Sequence, residues 1–197
     1  MGKEARLALI QQLEQARQSK VFTYITSYRN GLEVPMSMDS IRIFFEHLKN
    51  IDRANKPKID LLIVSNGGDG TVPWRLVTLI REYCSEFCTL IPYRAFSAAT
   101  LTSLGADKIV MHPMGMLGPT DPSVFNDYNP DNPLAPGRKI GINVEDVTAF
   151  IALIKEDAGI THQEELVQAF NILAQKIHPL ALGNVKRFLA QSKMGAQ

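Results

Sequence analysis

Cysteine, histidine and net charge are all scarce in this chain of 197 residues. It contains two cysteines and four histidines, and its formal net charge is +1. Two cysteines cannot form a disulfide framework, so Cys84 and Cys88, four residues apart on a predicted helix, are interpreted as packing residues. Without a histidine cluster at ligand spacing, neither a metal site nor a cofactor is predicted. Mixed charges of nearly equal number do not favour a nucleic-acid groove or an anionic membrane surface as a partner.

Long apolar runs are also missing. Stretches such as residues 150–154 fall far short of the roughly 18 to 20 residues that span a bilayer. The charged, glutamine-rich start is not a signal peptide. We therefore expect a soluble, cytoplasmic protein, an expectation that would weaken toward membrane association if the N-terminus were truncated. A hydrophobic content of 45% suits one domain over residues 1–197.

Strand-like and helix-like segments alternate over the first two thirds of the chain. Residues 1–20 predict an amphipathic helix, with Leu9, Ile10 and Leu13 on one face. The alternation beyond it predicts an α/β fold with a largely parallel sheet, right-handed crossovers and functional loops at the strand ends. The predicted strands are 21–28, 59–64, 88–91, 108–111 and a short one at 116–117, and the predicted helices are 41–51, 71–83 and 98–104.

The last third changes character. Residues 118–137 contain five prolines among Asp, Asn and Ser, a density that predicts a loop without helix or strand. We expect this Pro-rich loop to border a substrate groove or a subunit contact. Residues 143–193 predict C-terminal helices: one capped by Asn143, one opened by a capping box at residues 161–164 and ending near residue 178, and a last short one from residue 183.

Ser97 stands between a strand-like run and a helix that Gly105 is suited to end. A hydroxyl at a helix N-terminus lies beside free backbone N–H groups and the positive end of the helix dipole, which stabilise negative charge on an attacked carbonyl. Serine is also among the commonest helix caps. The position therefore indicates either a nucleophile or an ordinary cap.

A second strand–turn–helix unit precedes it, with Gly67 and Gly68 directly after a buried strand. Paired glycines there permit a turn that other residues resist, and they leave bare N–H groups to face a ligand. We take Gly67, Gly68 and the Ala98 amide as candidate oxyanion donors.

The order of these two units resembles the Clp/crotonase superfamily, and within it the serine dehydrogenase proteinase family, relatives of signal peptide peptidase A and of the Clp protease proteolytic subunit. The matching motifs are D-L-L-I-V-S-N-G-G, A-F-S-A-A-T-L, G-A-D-K-I-V-M, L-G-P-T-D-P and I-H-P-L-A-L-G. The resemblance covers roughly residues 35–190 and implies a Clp/crotonase-like fold. The family usually has Pro before the paired glycines and Gly soon after the serine, whereas this chain has Asn66 and Ala98–Ala99.

The resemblance also implies the catalytic groups. Ser97 would be the nucleophile, and the chain order Ser…Asp…His points to Asp121 and His178 as its acid and base. Lys139 is the alternative base, by similarity to signal peptide peptidase A, which pairs its serine with a lysine. A lysine can act in this way when burial lowers its pKa.

Three functions follow from these observations. The first is a serine peptidase that hydrolyses peptides or proteins through an acyl-enzyme on Ser97, working as a homo-oligomer like the families it resembles. The second is a catalytically inactive member that serves as an assembly or peptide-binding protein. The third is a crotonase-like enzyme acting on acyl-CoA.

Overall fold

A computed structural model of the protein describes residues 2–29, 31–120, 123–124, 126–133, 136–137, 139–183 and 185–186. The backbone separates into two compact units, Met1–Thr120 and Asp121–Gln197. The single domain expected from the sequence stays a prediction.

The first unit alternates strands and helices, as its sequence predicts. In chain order its elements are α1 (Lys3–Arg17), β1 (Lys20–Ile25), α2 (Asp39–Leu48), β2 (Lys58–Val64), α3 (Val72–Arg81), β3 (Glu86–Ile91), β4 (Arg94–Ala95), α4 (Ala98–Leu104), β5 (Lys108–Met111) and β6 (Met116–Leu117). Four strands form a parallel sheet in the order β1-β2-β3-β5. The α/β class and the parallel sheet predicted from the sequence are confirmed.

The core of this unit lies between the sheet and helices α2, α3 and α4. Strand order follows chain order, so right-handed crossovers place successive helices on the same face of the sheet. Helix α2 contacts α3, and α3 contacts α4. Buried side chains from the sheet and these helices fill the interface, among them Phe44, Leu48, Ile59, Leu61, Ile63, Leu76, Ile80, Phe87 and Ile91.

Helix α1 is held to the sheet at its C-terminal end. It contains no buried residue, but the guanidinium of Arg17 pairs with the fully buried carboxylate of Asp60 on β2. Ser19 Oγ donates a second hydrogen bond to Asp60, at 2.7 Å. The bond to Asp60 raises the pKa of Arg17 above its ordinary value. A buried carboxylate needs such partners, because it is costly to desolvate alone.

The strand ends carry a second, two-stranded parallel sheet that bears on function. Strands β4 and β6 pair with each other, and Ser65, just beyond β2, forms an isolated bridge with Ala95 of β4. This bridge joins the segment after β2 to the segment before Ser97. The two strand–turn–helix units singled out in the sequence therefore meet at their turns.

The second unit is mainly helical. Its elements are β7 (Ser123–Val124), which pairs antiparallel with β8 (Ile142–Asn143), then α5 (Val144–Ala152), a π-helical turn (Leu153–Asp157) and α6 (Gln163–Lys176). Residues 179–183 and 185–186 are also helical. A separate small core buries Ile142, Val144, Val147, Ala181 and Val185.

Several local expectations need correction. The helix predicted through the cysteines ends at Arg81, and Cys88 lies on β3. The Pro-rich loop contains a short strand, Ser123–Val124, because that segment finds a partner at Ile142–Asn143. The predicted capping box at residues 161–164 is also wrong: His162 occupies the cap position of α6 and makes no side-chain cap bond.

Asn143, by contrast, caps α5 as predicted, since its side chain accepts the Glu145 N–H at 2.8 Å. Of the C-terminal helices predicted over residues 143–193, the part from 187 onward lies outside the described residues. Within the described chain no helix is both long and apolar enough to cross a membrane. In the same residues, His, Cys, Asp and Glu form no group of three or more that could hold a metal ion.

Candidate active site

Ser97 links β4 to α4 in an unusual backbone conformation, with φ 50° and ψ −118°. Ordinary cap residues have negative φ and accept a hydrogen bond from the helix, whereas the Ser97 side chain makes no cap bond. A non-glycine residue in such a sparsely populated region stores roughly 1–3 kcal/mol of strain, and such residues cluster at functional sites. A serine on a strained strand-to-helix turn is also the arrangement that exposes the nucleophile of α/β-hydrolases. The geometry therefore favours the nucleophile interpretation of Ser97 over the cap.

The glycine loop lies directly against this serine. Gly67 has φ 95°, and a Cβ placed on it would lie 2.7 Å from Ser97 Cβ and 2.7 Å from Phe96 O. A Cβ on Gly68 would collide with the backbone of Met36. Both positions exclude side chains, Gly67 by its φ and by close approach to the serine turn, and Gly68 by close approach to Met36.

Two of the three candidate oxyanion amides are free in the described structure. The Gly68 and Ala98 N–H groups donate no hydrogen bond to any described residue. The Gly67 N–H, however, donates to Ser65 Oγ at 3.0 Å and is buried. Gly67 therefore contributes shape to the loop, and its amide is already engaged.

Ser65 is a positioning residue that sequence reasoning did not single out. Its buried hydroxyl accepts a hydrogen bond from the Gly67 amide and a 2.7 Å hydrogen bond from the hydroxyl of Thr26, directly after β1. The Ser65 backbone also forms two hydrogen bonds with the segment before Ser97. Ser65 N donates to Arg94 O, and Phe96 N donates to Ser65 O, both at 3.0 Å. Ser65 thus holds the glycine loop through its side chain and the segment before Ser97 through its backbone.

Thr100 performs a similar role on the other side of the serine. Its hydroxyl donates to Ala95 O at 2.6 Å and lies within hydrogen-bond distance of both the carbonyl and the amide of Gly118. Ser97 N donates to Pro119 O at 3.1 Å. The start of the Pro-rich loop is therefore attached to the serine turn.

His178 belongs to the Asp121–Gln197 unit and is exposed. Its ring stacks on Tyr128 with 4.9 Å between centroids, and its Nδ1 accepts the Leu180 N–H at 3.2 Å. The sequence expectation had it at the end of a helix, whereas it precedes the helical residues 179–183 and caps them. In this rotamer Nδ1 is not free to donate to a carboxylate.

The other two candidates also belong to this second unit. Asp121 lies outside the described residues. The Lys139 ammonium contacts the Asp131 carboxylate at 2.8 Å, and the Asp131 side chain is 84% exposed. In this contact Lys139 acts as a surface ion-pair partner.

The cysteines are poor candidates for nucleophiles. Both are free and buried. Burial raises the pKa of the Cys84 thiol and of the Cys88 thiol, which keeps them in the unreactive protonated form at neutral pH. Their interpretation as packing residues is consistent with this environment.

The sequence matches a known protein family over nearly its whole length. A model described as ClpP-like SDH-type serine proteinase matches residues 2–195. The chain belongs to this family. The SDH-type assignment confirms the resemblance read from the motifs, and a ClpP-like architecture agrees with the parallel sheet.

Two uncharacterized proteins of Methanocaldococcus jannaschii are similar to this chain. One is 31% identical over 176 residues, which cover 87% of the chain and 60% of that protein. The other is 30% identical over 109 residues, which cover 55% of the chain and 37% of that protein. The chain thus spans less than two thirds of the length of either relative.

Two solved structures also resemble the SDH-type chain, at low identity. The ClpP protease catalytic domain from Plasmodium falciparum is 12% identical, with a TM-score of 0.41 over 59% of this chain and 63% of that chain. A mutant of the 1510-N membrane-bound stomatin-specific protease is 17% identical, with a TM-score of 0.41 over 68% of this chain and 58% of that chain. Neither similarity is close enough to support an argument about mechanism.

Proposed function

We propose that the protein is a serine peptidase that cleaves peptides through an acyl-enzyme on Ser97. The observation that carries the proposal is the strained serine turn with Gly67 packed on its side chain and two free amides beside it. Backbone strain without compensation elsewhere is rarely kept, so it indicates a functional constraint on this residue.

The chemistry follows from these groups. Ser97 Oγ forms a bond to the scissile carbonyl carbon while a general base takes its proton, and the carbonyl oxygen becomes an oxyanion. The free amides of Gly68 and Ala98 donate to that oxyanion, with the partial positive charge of the α4 N-terminus behind them. The base then gives its proton to the leaving amine as the C–N bond breaks. Water attacks the acyl-enzyme by the same steps and regenerates the serine.

For the base we propose His178, with Asp121 as the acid that orients it. Stacking on Tyr128 would limit rotation of the imidazole. To take the serine proton at one nitrogen and donate to Asp121 from the other, the ring must leave its contact with the Leu180 amide. Lys139 is the second candidate, and it would have to be released from Asp131.

A serine-directed fluorophosphonate probe tests the nucleophile. The wild-type protein should be labelled at Ser97, and Ser97→Ala should abolish labelling without loss of folding. Ser103→Ala is the matched control, since Ser103 lies on the same helix with its hydroxyl buried and bonded to Ala99 O at 2.8 Å. Equal labelling of wild type and Ser97→Ala would refute the assignment.

A peptide-binding protein without peptidase activity is the second candidate. It is favoured by Asn66, where the family usually has Pro, and by Ala98–Ala99, where the family usually has Gly soon after the serine. Absence of probe labelling together with measurable peptide binding would establish it. Retention on a CoA affinity column would instead indicate the acyl-CoA enzyme.

We further propose that the protein assembles as a homo-oligomer through α1 or the Pro-rich loop. Helix α1 has no buried residue and exposes Leu7 and Leu9, the latter at 52%. Exposed apolar side chains on a helix can be buried against another subunit. Light scattering at micromolar concentration should show a mass above 21.9 kDa, and a monomer would refute the proposal.

A further inference from the structure

Arg94 lies beside the glycine loop without a carboxylate partner. Ion pairs bring Arg17, Arg81, Lys58 and Lys139 to acidic side chains, but none involves Arg94 in the part of the chain that the structure describes. Its side chain is half-buried. Desolvating a cation without a counter-ion is unfavourable, so this position calls for an explanation.

Aromatic rings hold the guanidinium in place. Its central carbon lies 4.7 Å from the Tyr28 ring centroid, 4.5 Å from that of Tyr93 and 5.6 Å from that of Phe96. Nη2 donates to the Tyr93 hydroxyl at 2.7 Å. Cation–π contacts of this kind orient an arginine but leave its charge unneutralised.

The Nη1 nitrogen of the guanidinium lies beside the glycine loop. Nη1 has only a long, exposed contact with Asn66 Oδ1, at 3.5 Å, and Asn66 precedes Gly67, which packs on Ser97. Nε is buried and makes no hydrogen bond to any described residue. The accessible donors of Arg94 are therefore those at Nη1, next to the glycine loop.

We propose that Arg94 binds a carboxylate of the peptide and makes this a subsite for acidic substrates. The N–H donors at Nη1 carry part of the delocalised positive charge of the guanidinium, so they can form charge-assisted hydrogen bonds to a carboxylate. The carboxylate can come from an Asp or Glu side chain or from a peptide C-terminus. The inference rests on the proposed function for its substrate class, and it makes Arg94 a specificity-determining residue.

Arg53 shows that stacking alone does not create such a subsite. Its guanidinium lies 4.5 Å above the Tyr83 ring and donates to the Tyr83 hydroxyl at 2.9 Å, much as Arg94 does with Tyr93. Arg53 is exposed to solvent, however, and is remote in the sequence from Ser97 and the glycine loop. Arg53→Gln is therefore a matched control for the loss of a stacked, hydrogen-bonded arginine.

Binding is measured in the Ser97→Ala background, where peptide cannot be consumed. The probes are pools of fluorescein-labelled six-residue peptides, compared in two ways. To test a side-chain carboxylate, amidated pools carry either one Asp or one Asn at each position in turn. To test a C-terminal carboxylate, pools without acidic side chains end either in a free carboxylate or in an amide. Fluorescence anisotropy should show about ten- to hundredfold tighter binding of the pool with the carboxylate in at least one of these comparisons. The comparison that shows it identifies the source of the carboxylate.

The role of Arg94 is decided by the ratio of the affinities for two matched pools, one with the carboxylate and one without it. A substitution that weakens binding of both pools equally leaves this ratio unchanged. Arg94→Gln should bring the ratio to about one. Arg94→Lys should give an intermediate ratio, because it keeps a positive charge but loses the planar guanidinium that the aromatic rings hold in place. Arg53→Gln should leave the ratio unchanged. A ratio of one in the Ser97→Ala protein, or a ratio that Arg94→Gln does not alter, overturns the inference.

Probe labelling separates this result from the proposed function. A carboxylate preference in a protein whose Ser97 is never labelled would overturn the peptidase and keep the subsite. Labelled Ser97 with no carboxylate preference would overturn the subsite alone.

Discussion

The α-carbon of Gly67 faces the side chain of Ser97. A Cβ on Gly67 would lie 2.7 Å from Ser97 Cβ and 3.0 Å from Ala98 N, and φ at Gly67 is 95°. The nucleophile candidate and the oxyanion loop are thus in direct contact, although thirty positions separate them in the chain.

Gly67→Ala should destabilise the protein and abolish peptidase activity. The new methyl group must displace either the serine turn or the loop, and the backbone is in a region that alanine rarely adopts. We expect a loss of several kcal/mol in the free energy of unfolding, as typical of overpacking plus strain. Urea unfolding and probe labelling measure both effects.

Substitutions at two other glycines separate the effect of backbone strain from the effect of close packing at Gly67. Gly31 also has positive φ, 76°, but a Cβ there meets nothing within 4 Å, and Gly70 has neither constraint. Gly31→Ala should therefore show the cost of backbone strain alone, and Gly70→Ala should be nearly neutral. If Gly67→Ala were no worse than Gly31→Ala, close packing on Ser97 would not matter.

Ser97→Gly should be more stable than Ser97→Ala, although both lose probe labelling. Glycine relieves roughly 1–3 kcal/mol of strain at φ 50°, which exceeds the roughly 0.5–1 kcal/mol that glycine loses through chain entropy. Alanine keeps the strain, so its unfolding free energy should equal that of the wild type. A glycine variant less stable than the alanine variant would show that the turn is unstrained.

Ser65→Ala should impair both stability and catalysis. It leaves the buried Gly67 amide without its acceptor, at a cost of about 1–3 kcal/mol, and it frees the glycine loop beside Ser97. Ser103→Ala removes another fully buried serine hydroxyl but should leave kcat/KM unchanged. Equal effects of the two substitutions on kcat/KM would contradict the positioning role of Ser65.

The pH dependence of activity identifies the general base. If His178 accepts the serine proton, kcat/KM should rise with pH, because only the neutral imidazole can act as the base. His178→Ala should then reduce kcat by several orders of magnitude, while Lys139→Ala changes it little. If Lys139 is the base, activity should climb at higher pH and the two variants should exchange behaviour. A folded His178→Ala protein with near-normal turnover would exclude the histidine.

Asp107 should contribute to stability in a pH-dependent way. The Phe87 N–H and then Arg81 hold the pKa of Asp107 below its ordinary value of 3.8. Its stabilisation is therefore complete above that ordinary value and is lost as the pH falls through the lower folded value. The difference in unfolding free energy between wild type and Asp107→Asn should shrink from about pH 5 to about pH 3. Asp157→Asn, at an exposed site, is the control.

Much of the first unit could be predicted from the sequence. Helix Ala98–Leu104 and strand Lys108–Met111 have the predicted bounds, because Gly105 ends the helix and the strand is a short apolar run. The errors lie where a tertiary partner overrides a local signal: Ser123–Val124 becomes a strand because it pairs with Ile142–Asn143. Local propensity cannot anticipate such a partner.

The sequence by itself determined the parallel α/β fold, the family and the pairing of a glycine loop with Ser97, because apolar periodicity and ordered motifs are local properties of the chain. Only the tertiary structure decided the positive φ of Ser97, the engagement of the Gly67 amide by Ser65, and the stacking of Tyr28 on Arg94. These features depend on contacts between β1, β2 and β4, which the sequence places far apart. Distances across such contacts are fixed by packing of the whole unit, since interiors are close-packed and transmit each constraint to their neighbours.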